Sequence, residues 1–445
     1  MARDGTTVDA LGRAASPDRV RKGRPPASSS AETRRRILDA ARACFGRAGY
    51  DRTINKDIAA AAGITQAAIY HYFPSKRDVF VATYRDMQAT TFAGFEAAID
   101  PKRPLAANIK AMLDLAADMH AADRTLAAFT AIAPLEIQRH PEVRRGIGDD
   151  AQTVFGFFRR LVAESSDGLR SDVDPESVVN LLVAVTTGFS QFGATARGGP
   201  LHRGVIGSFE RLLDGTLFNG AGSAATPKRR RLVARPPAVD PTDSRARILA
   251  AARARFGGYG YDVTTNKDIG AAAGFTAGAI YRYFSSKQEL FVTVYREVQR
   301  AVFDRFEVAL EGTNHLADKI KAFLDLSVDM HAADRTLATF TAIAPVEIQR
   351  HPELRAALGA DTVAVYRFFR QVVWDAADDL APDVDPDAVV NLLVAVSSGF
   401  AQFGAMTRTT APHREAIASF QRLIDGTLFT GSAGGRARRR RAATA

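Results

Sequence analysis

The stretch NKDIAAAAGITQAAIYHYFPSK, from Asn55 to Lys76, places a glycine and a threonine between two short runs of small and apolar residues. The first run has helical apolar spacing and predicts a helix over residues 55–62 that stops at Gly63. The hydroxyl of Thr65 is suited to cap the start of a second helix. Two short helices joined by a glycine-containing turn predict a helix-turn-helix, which places its second helix in the major groove of DNA.

The same cassette occurs again as NKDIGAAAGFTAGAIYRYFSSK, which begins at Asn266, 211 residues after the first copy. The offset also relates DMHAADRTLAAFTAIAPLEIQRHPE, beginning at Asp118, to DMHAADRTLATFTAIAPVEIQRHPE, beginning at Asp329. The copies align without a net insertion over about residues 33–218 and 244–429. Units of this length are duplicated domains and not the short repeats of a solenoid.

The duplication predicts seven segments along the chain. The segment between the copies is rich in Gly, Pro and Arg and lacks apolar periodicity, which is the composition of a linker. We therefore expect a disordered basic arm over residues 1–32, a helix-turn-helix domain over 33–80, a helical domain over 81–218, a basic linker over 219–243, a second helix-turn-helix domain over 244–291, a second helical domain over 292–429 and a disordered basic tail over 430–445.

The apolar spacing within each copy is helical and no segment shows convincing strand alternation, so the predicted fold class is all-α. In RRRILDAARACFGRAGY the apolar side chains recur at every third or fourth position, and Gly49 follows as a helix stop. A long helix is expected from Lys76 towards Ile99. Further helices are expected near residues 105–120, 124–138, 142–164, 175–196 and 202–217.

Length and composition indicate a folded protein with more than one domain, because 46% of the 445 residues are hydrophobic. Cys44 is the only cysteine, which excludes a disulfide or a thiolate metal site within the chain and fits a reducing compartment. The longest apolar run, Val178 to Phe189, contains Asn180 and two threonines, and the N-terminus has no apolar signal region. We therefore expect a cytoplasmic, nucleoid-associated protein with no membrane partner.

The net charge of +10 is concentrated outside the predicted domains. Residues 1–36 carry +5, residues 219–243 carry +3 and residues 436–445 carry +5. Basic segments of this kind indicate a polyanion partner, although a solubilising tail has the same composition. RVRKGRPP has a Gly-Arg-Pro centre that contains Arg24 and is flanked by cations, among them Arg21 and Lys22. This arrangement is similar to a hook for the minor groove, and non-specific phosphate binding is the alternative.

The second helix of the cassette carries residues that suit a DNA groove. Its apolar positions point inward, which leaves Gln66, Ala67, Tyr70 and His71 on the outer side. Glutamine can bind an adenine edge, an alanine methyl group can contact a thymine methyl group, and a tyrosine hydroxyl can reach phosphate. Lys76 is expected to add a phosphate-binding cation and an amide terminus at the start of the next helix.

At this cassette the chain resembles the tetracycline-repressor (TetR) family of bacterial transcription regulators, over about residues 33–85 and 244–296. Ala67 is the small residue that the pattern requires but stands where glycine is usual, and Ile54 departs from the pattern because it replaces the second threonine. The matching positions are Thr53, Ile58, Ala59, Ala62, Gly63, Thr65, Ala67, Ile69, Tyr70, Phe73, Ser75, Lys76 and Val79 in the first copy, and Thr264, Thr265, Ile269, Gly274, Thr276, Gly278, Ile280, Tyr281, Phe284, Ser286, Lys287 and Leu290 in the second.

The resemblance implies a sequence-specific DNA-binding transcriptional regulator, most commonly a repressor, that a small-molecule effector releases from its double-stranded DNA operator. It also implies that each helical domain combines ligand binding with dimerisation. The residues expected at the DNA are Thr53, Lys56, Thr65, Gln66, Ala67, Tyr70, His71, Tyr72 and Lys76 in the first copy, Thr264, Lys267, Thr276, Ala277, Gly278, Tyr281, Arg282, Tyr283 and Lys287 in the second, and Arg21, Lys22 and Arg24 of the arm.

Both helix-turn-helix domains, which we call the reading heads, lie in one chain, whereas members of the family normally work as homodimers. VVNLLVAVTTGFSQFGA from Val178 and VVNLLVAVSSGFAQFGA from Val389 are nearly identical and strongly apolar. We expect the last two helices of each copy to pair as an intramolecular pseudo-dimer, and further self-association of chains is left open. The alternative is that each of these apolar segments is only the core of its own domain. Because Gln66 and His71 become Ala277 and Arg282, the expected operator is an imperfect palindrome.

A ligand pocket is expected in each helical domain, where methionine, histidine and phenylalanine recur. At helical spacing such residues are also typical of a plain core. The candidate lining residues are Met119, His120, Phe129, Phe157, Phe158, Phe189 and Phe192 in the first copy, and Met330, His331, Phe340, Phe368, Phe369, Phe400 and Phe403 in the second.

Catalysis and metal binding are not expected. His120 and Asp123, with Glu136 and His140, do not have a recognised metal-ligand spacing. The sequence also has no phosphate-cradling glycine loop and no nucleophile elbow. We expect no catalytic residue, metal or cofactor, and the remaining alternative is a helical protein-interaction adaptor whose DNA-binding units have degenerated.

Overall fold

The computed structural model describes residues 30–165, 168–195, 199–219, 243–407 and 409–430. Over these ranges the chain consists of α-helices and short 3₁₀ turns, with two isolated β-bridges as its only β-structure. The prediction of an all-α fold is confirmed. Most of the linker and the tail, and the part of the arm that contains Arg21, Lys22 and Arg24, lie outside the described residues.

The first copy contains ten α-helices in its described part. The first of them breaks at Gly49, whose φ of 76° is left-handed. The helices are α1 (Ser30–Arg52), α2 (Asn55–Ala62), α3 (Gln66–Tyr72), α4 (Lys76–Ala98), α5 (Leu105–Ala122), α6 (Arg124–Arg139), α7 (Pro141–Ile147), α8 (Thr153–Glu164), α9 (Pro175–Thr195) and α10 (Gly199–Asp214).

The predicted single helix over residues 142–164 is wrong, because a 3₁₀ turn over Gly148–Gln152 separates α7 from α8. Gly148 has a φ of 59° and a ψ of −132°. This conformation is open to glycine and cannot continue an α-helix. The glycine therefore ends α7 inside a stretch whose apolar spacing looks continuous.

The second copy repeats the order of the first. Its reading helix α13 is shorter than α3, as described below. The helices are α11 (Ser244–Tyr259), α12 (Asn266–Ala273), α13 (Ala277–Ile280), α14 (Lys287–Leu310), α15 (Leu316–Ala333), α16 (Arg335–Arg350), α17 (Pro352–Leu358), α18 (Ala364–Trp374), α19 (Pro386–Met406) and α20 (Ala411–Ile424).

Each helix-turn-helix head is fixed to its helical body through α6 or α16. In the first copy the centre of the Phe80 ring lies 5.0 Å from that of Phe45 and 5.3 Å from that of Phe129 on α6. Arg42 of α1 also donates to Asp123, the N-cap of α6, at 2.6 Å. The second copy repeats this packing with Phe256, Phe291 and Phe340. The heads are therefore coupled to the positions of α6 and α16.

The two copies pack together through α9 and α19, which cross where Gly188 faces Gly399. A Cβ atom on Gly188 would meet the backbone of Ala395, and a Cβ atom on Gly399 would meet the backbone of Ala184. Only glycine allows two helix backbones to approach this closely. α20 packs on α9 and α10 packs on α19, so the last two helices of each copy form a four-helix contact.

The apolar stripes of α9 and α19 serve both the core of each copy and the contact between copies. By length and composition alone both helices could cross a membrane, but 67% of each apolar window is buried within the protein. Beyond these helices, isolated β-bridges pair Leu169 with Phe429 and Phe218 with Leu380. The chain ends of each copy therefore add to the contact.

We expect Gly188→Ala to lower the free energy of unfolding by about 1–3 kcal/mol, because the added methyl group would push α9 away from α19. Gly207→Ala in α10 is the matched control, since nothing lies within 4 Å of a Cβ atom there and alanine favours a helix. Urea unfolding followed by circular dichroism measures both variants. Equal stability of Gly188→Ala and the unchanged chain would contradict the close crossing.

Candidate nucleic-acid interface and ligand cavities

The turn between α2 and α3 has the local geometry that the sequence predicts. Gly63, with a φ of 65°, ends α2 in the left-handed conformation. The backbone N–H of Ala68 donates to Oγ1 of Thr65 at 3.2 Å and so caps α3. Ile58 and Ile69 are fully buried between the helices. These contacts leave the other side of α3 facing solvent.

The outer face of each reading helix is exposed. In the first copy it consists of Gln66, Ala67, Tyr70 and His71, and the Tyr70 side chain is 51% exposed. Packing within the protein does not account for a large aromatic residue left this open. The other exposed or half-exposed positions predicted at the DNA are Lys56, Thr65, Tyr72, Lys267, Thr276, Ala277, Gly278, Tyr281, Arg282 and Tyr283.

The two reading helices differ in length and charge. α3 continues to Tyr72, whereas α13 ends at Ile280 and the next three residues form a turn. Gly278 stands in α13 where α3 has Ala67, and glycine costs about 1 kcal/mol relative to alanine in a helix. An arginine in place of a histidine in the second copy adds a permanent positive charge. The heads are therefore not interchangeable.

Two threonines predicted at the DNA are buried, and this expectation is corrected. Thr53 is 1% exposed, and its hydroxyl donates to the carbonyl oxygens of Gly49 at 2.7 Å and Cys44 at 3.2 Å. Thr264 is 2% exposed and donates to the carbonyl oxygen of Arg255 at 3.2 Å. Both hydroxyls satisfy backbone acceptors at the end of the first helix of their head, which is why this position holds a threonine.

The two lysines predicted to bind phosphate also have partners inside the protein. Nζ of Lys76 donates to the carbonyl oxygen of Tyr50 at 2.8 Å and lies 4.3 Å from the centre of the Tyr50 ring. Lys287 makes the same contacts with Tyr261, at 2.8 Å and 4.3 Å. Burial lowers the pKa of both ammonium groups from their usual value. Both half-exposed ammonium groups therefore hold the end of α1 or α11, and their predicted contact with phosphate stays a prediction.

One arginine in each head has a role that was not predicted from the sequence. The guanidinium of Arg36 donates to the carbonyl oxygens of Ala62 and Gly63, and that of Arg247 donates to Ala273 at 2.7 Å. The last carbonyl groups of a helix have no partner within it, so these arginines complete α2 and α12. The 211-residue offset relates the two arginines and was the available signal.

Each helical body contains a partly open cavity, of ≈ 130 Å³ in the first copy and ≈ 150 Å³ in the second. A dry apolar cavity of about 150 Å³ can hold a molecule the size of benzene. Several of the predicted residues line these cavities: Met119, His120, Phe158 and Phe189 in the first, and Met330, His331, Phe340, Phe368 and Phe369 in the second.

The other predicted pocket residues do not line these cavities. Phe129 packs against Phe80 in the core between head and body. The ring centre of Phe403 lies 6.4 Å from that of Phe155, so Phe403 faces the other copy. The remaining residues that pack in the core instead are Phe157, Phe192 and Phe400. Helical spacing predicts that all of these residues lie inside the body, but it does not distinguish residues that line a cavity from residues that pack in the core.

The polar groups that face the cavities are uncharged at neutral pH. Burial raises the pKa of Tyr84 to about 12, and Nε2 of Gln88 donates to the Tyr84 hydroxyl at 2.8 Å. Burial lowers the pKa of His120 to about 4 and that of His331 to about 3. Among the described residues, no Asp, Glu, Lys or Arg lines either cavity. The cavities therefore suit uncharged and mainly apolar molecules.

The walls of the two cavities differ at positions that the repeat offset relates. At two positions the first cavity has a hydroxyl group where the second has an aliphatic side chain. At two others the second cavity has a phenylalanine in place of a methionine and a serine in place of an alanine. The changes, written from the first copy to the second, are Thr91 to Val302, Ser190 to Ala401, Met112 to Phe323 and Ala116 to Ser327.

Two helix-turn-helix heads with exposed reading faces define a DNA-binding regulator. The family model described as bacterial regulatory proteins, tetR family, matches residues 37–83 and again residues 248–294. The chain belongs to this family as a tandem of two of its units. Its relatives are transcriptional regulators and not enzymes.

Three relatives illustrate the similarity. The chain is 26% identical to the transcriptional regulator UidR of Escherichia coli K12 over 158 residues, which are 35% of this chain and 79% of the relative. It is 32% identical to the regulator BetI of Rhizobium meliloti over 142 residues, 31% of this chain and 64% of the relative. It is 41% identical to the transcriptional repressor Rv1474c of Mycobacterium tuberculosis over 56 residues, 13% of this chain and 30% of the relative.

We expect Lys76→Met to lower the free energy of unfolding by about 1–2 kcal/mol, because the Tyr50 carbonyl and ring both lose their cation. Lys56→Met is the matched control, since Lys56 is exposed and such changes usually stay within about 0.5 kcal/mol. Urea denaturation measures both. Unchanged stability of Lys76→Met together with weaker DNA binding would contradict the structural role and favour phosphate binding alone.

Proposed function

We propose that the chain is a transcriptional repressor that binds one imperfectly palindromic operator with both heads and is released by an uncharged small molecule. The observation that carries this proposal is the presence of two exposed reading faces of different composition on bodies that pack against each other. Repression is supported by the similarity to a relative named as a repressor, which covers 30% of that relative.

The packing of α9 against α19 supports an intramolecular pseudo-dimer as the DNA-binding unit. A two-headed regulator binds half-sites about one helical turn, roughly 34 Å, apart. In this chain both heads reach the operator without a second chain. The unequal faces then favour unequal half-sites, with Gln66 suited to adenine and Arg282 suited to guanine or phosphate.

The DNA-facing set that remains after the corrections is the exposed one. It leaves out the buried threonines and gives the lysines at the start of α4 and α14 a structural role. The proposed contacts are Lys56, Thr65, Gln66, Ala67, Tyr70, His71 and Tyr72 in the first head, Lys267, Thr276, Ala277, Gly278, Tyr281, Arg282 and Tyr283 in the second, and, outside the described residues, Arg21, Lys22 and Arg24.

Of two features that could argue against the adaptor alternative, the lysines do not and the exposed tyrosines do. The presence of Lys76 and Lys287 does not weigh against it, because their contacts with backbone carbonyl oxygens give them a purpose that does not need DNA. The exposed Tyr70 and Tyr281, at 51% and 58%, still favour DNA, because the fold does not use their surface.

We expect the double variant Ala277→Gln, Arg282→His to shift the preferred operator towards a symmetric palindrome, because the second head then carries the outward glutamine and histidine of the first. The change in relative affinity for the converted half-site should be about tenfold or more. Selection of bound sites from random duplex DNA measures it, with the oligomeric state followed by sedimentation. Arg300→His, on an exposed arginine outside the reading face, is the control. An unchanged selected motif would contradict the reading role.

We expect indole, a neutral fluorescent molecule little larger than benzene, to bind the full chain at two sites. Ala116→Phe should remove the first site and Ser327→Phe the second, because each new ring fills one cavity. Fluorescence titration measures the number of sites. Operator binding without the probe serves as the folding control and should persist in both variants. Undiminished probe binding by the variant with both changes would rule out the cavities as the ligand sites.

A further inference from the structure

Two buried salt bridges join the copies directly beneath the reading heads. Nη2 of Arg139 lies 2.7 Å from Oε1 of Glu347, and Nη2 of Arg350 lies 2.8 Å from Oε1 of Glu136. All four side chains are at most 8% exposed. They stand at the C-terminal ends of α6 and α16, and each bridge crosses from one copy to the other. We call these four residues the cross-copy cluster.

A histidine connects the cluster to each head. Nε2 of His140 lies 3.3 Å from Glu136 and 3.4 Å from Asp51, which is near the end of α1. The neighbouring carboxylates raise the pKa of His140 to about 9 against the effect of burial, so the ring is charged at neutral pH. In the second copy, His351 makes the same contacts with Glu347 and Asp262.

The heads also touch the cluster through their backbone. Gly49 and Gly260 end the first long helix of each head with φ values of 76° and 81°. A Cβ atom on Gly49 would lie 2.7 Å from Nη1 of Arg350, and one on Gly260 would collide with the guanidinium of Arg139. Each head therefore rests against the arginine of the other copy.

The charged groups in and beside the cross-copy cluster form an ionic network and do not suit a metal ion. Asp51, Glu136 and His140 place their ligand atoms within 4.8 Å of one another, which is close enough to hold an ion. However, the Glu136 carboxylate already faces Arg350 at 2.8 Å, and His140 is protonated. A divalent cation would have to displace two positive charges from a buried position.

We propose that the cross-copy cluster of Glu136, Arg139, Glu347 and Arg350 fixes the distance between the two reading heads and so selects the spacing of the operator half-sites. This inference rests on the proposed function of the chain. A buried ion pair adds little net stability, but it tolerates little change in geometry, because separation leaves buried charges unpaired. One base pair of added spacing moves a half-site by about 3.4 Å and turns it around the duplex.

The same helices connect the cluster to the ligand cavities. Pro134 of α6 lines the first cavity and precedes Glu136 by two residues. Pro345 of α16 lines the second cavity and precedes Glu347 by two residues. A ligand that displaces either proline would therefore move one side of the cluster, and the spacing of the heads would change with it.

The test measures operator spacing in the full chain. We place the half-sites selected by the wild-type chain on duplexes with spacers altered by up to two base pairs, and we compare affinities by fluorescence anisotropy. For the wild-type chain one spacing should be strongly preferred. For Arg139→Met with Glu347→Gln, which removes one bridge without leaving a buried charge from that pair, the preference should fall at least about tenfold.

Arg139→Lys is measured beside it, because it keeps the charge and the fold while it changes the reach of the cation. It should reduce the spacing preference by an intermediate factor. The matched control is Arg422→Met with Asp172→Asn, which removes an exposed bridge of 2.8 Å between the copies away from the heads. The control should keep the wild-type preference.

A spacing preference that stays within about twofold of wild type in both cluster variants would overturn this inference and leave the proposed function intact. Equal loss of preference in the control variant would also overturn it, because any bridge between the copies would then suffice. A wild-type chain that binds no duplex with two half-sites would instead contradict the proposed function itself.

Discussion

The close crossing of α9 and α19 is the constraint on which the rest of the structure depends. Gly188 and Gly399 let the backbones of α9 and α19 come into contact, and this contact fixes the two helical bodies relative to each other. Because each body holds its head through the phenylalanine contacts of α6 or α16, the placement of the heads follows from the placement of the bodies. The cross-copy cluster forms a second contact between the copies, at the C-terminal ends of α6 and α16.

Local signals made much of the fold predictable. The end of α2 followed from Gly63 and the start of α3 from Thr65, because a left-handed glycine and a hydroxyl cap act on their own neighbours. The break at Gly148 was missed because apolar spacing continues on both sides of it. The repeat supplied the remaining information, since each helix of one copy predicts its counterpart in the other.

The site was less predictable because its decisive contacts are distant in sequence. Lys76 bonds a carbonyl group 26 residues away, and Arg139 pairs with a carboxylate 208 residues away in the other copy. Nothing in the local pattern distinguishes such side chains from exposed cations. The spacing of the aromatic residues also predicted that both Phe129 and Phe158 line a pocket, although of these two only Phe158 lines the cavity.

The two copies differ where a tandem regulator can use a difference and agree where it cannot. Gln66 and His71 of one reading face become Ala277 and Arg282 of the other, and the cavity walls change at several positions. The residues of the cross-copy cluster are the same in both copies. Each bridge takes one partner from each copy, so a charge change in one copy alone would leave a buried charge unpaired. Reading faces and cavities carry no such restriction, and within one chain each is free to change by itself.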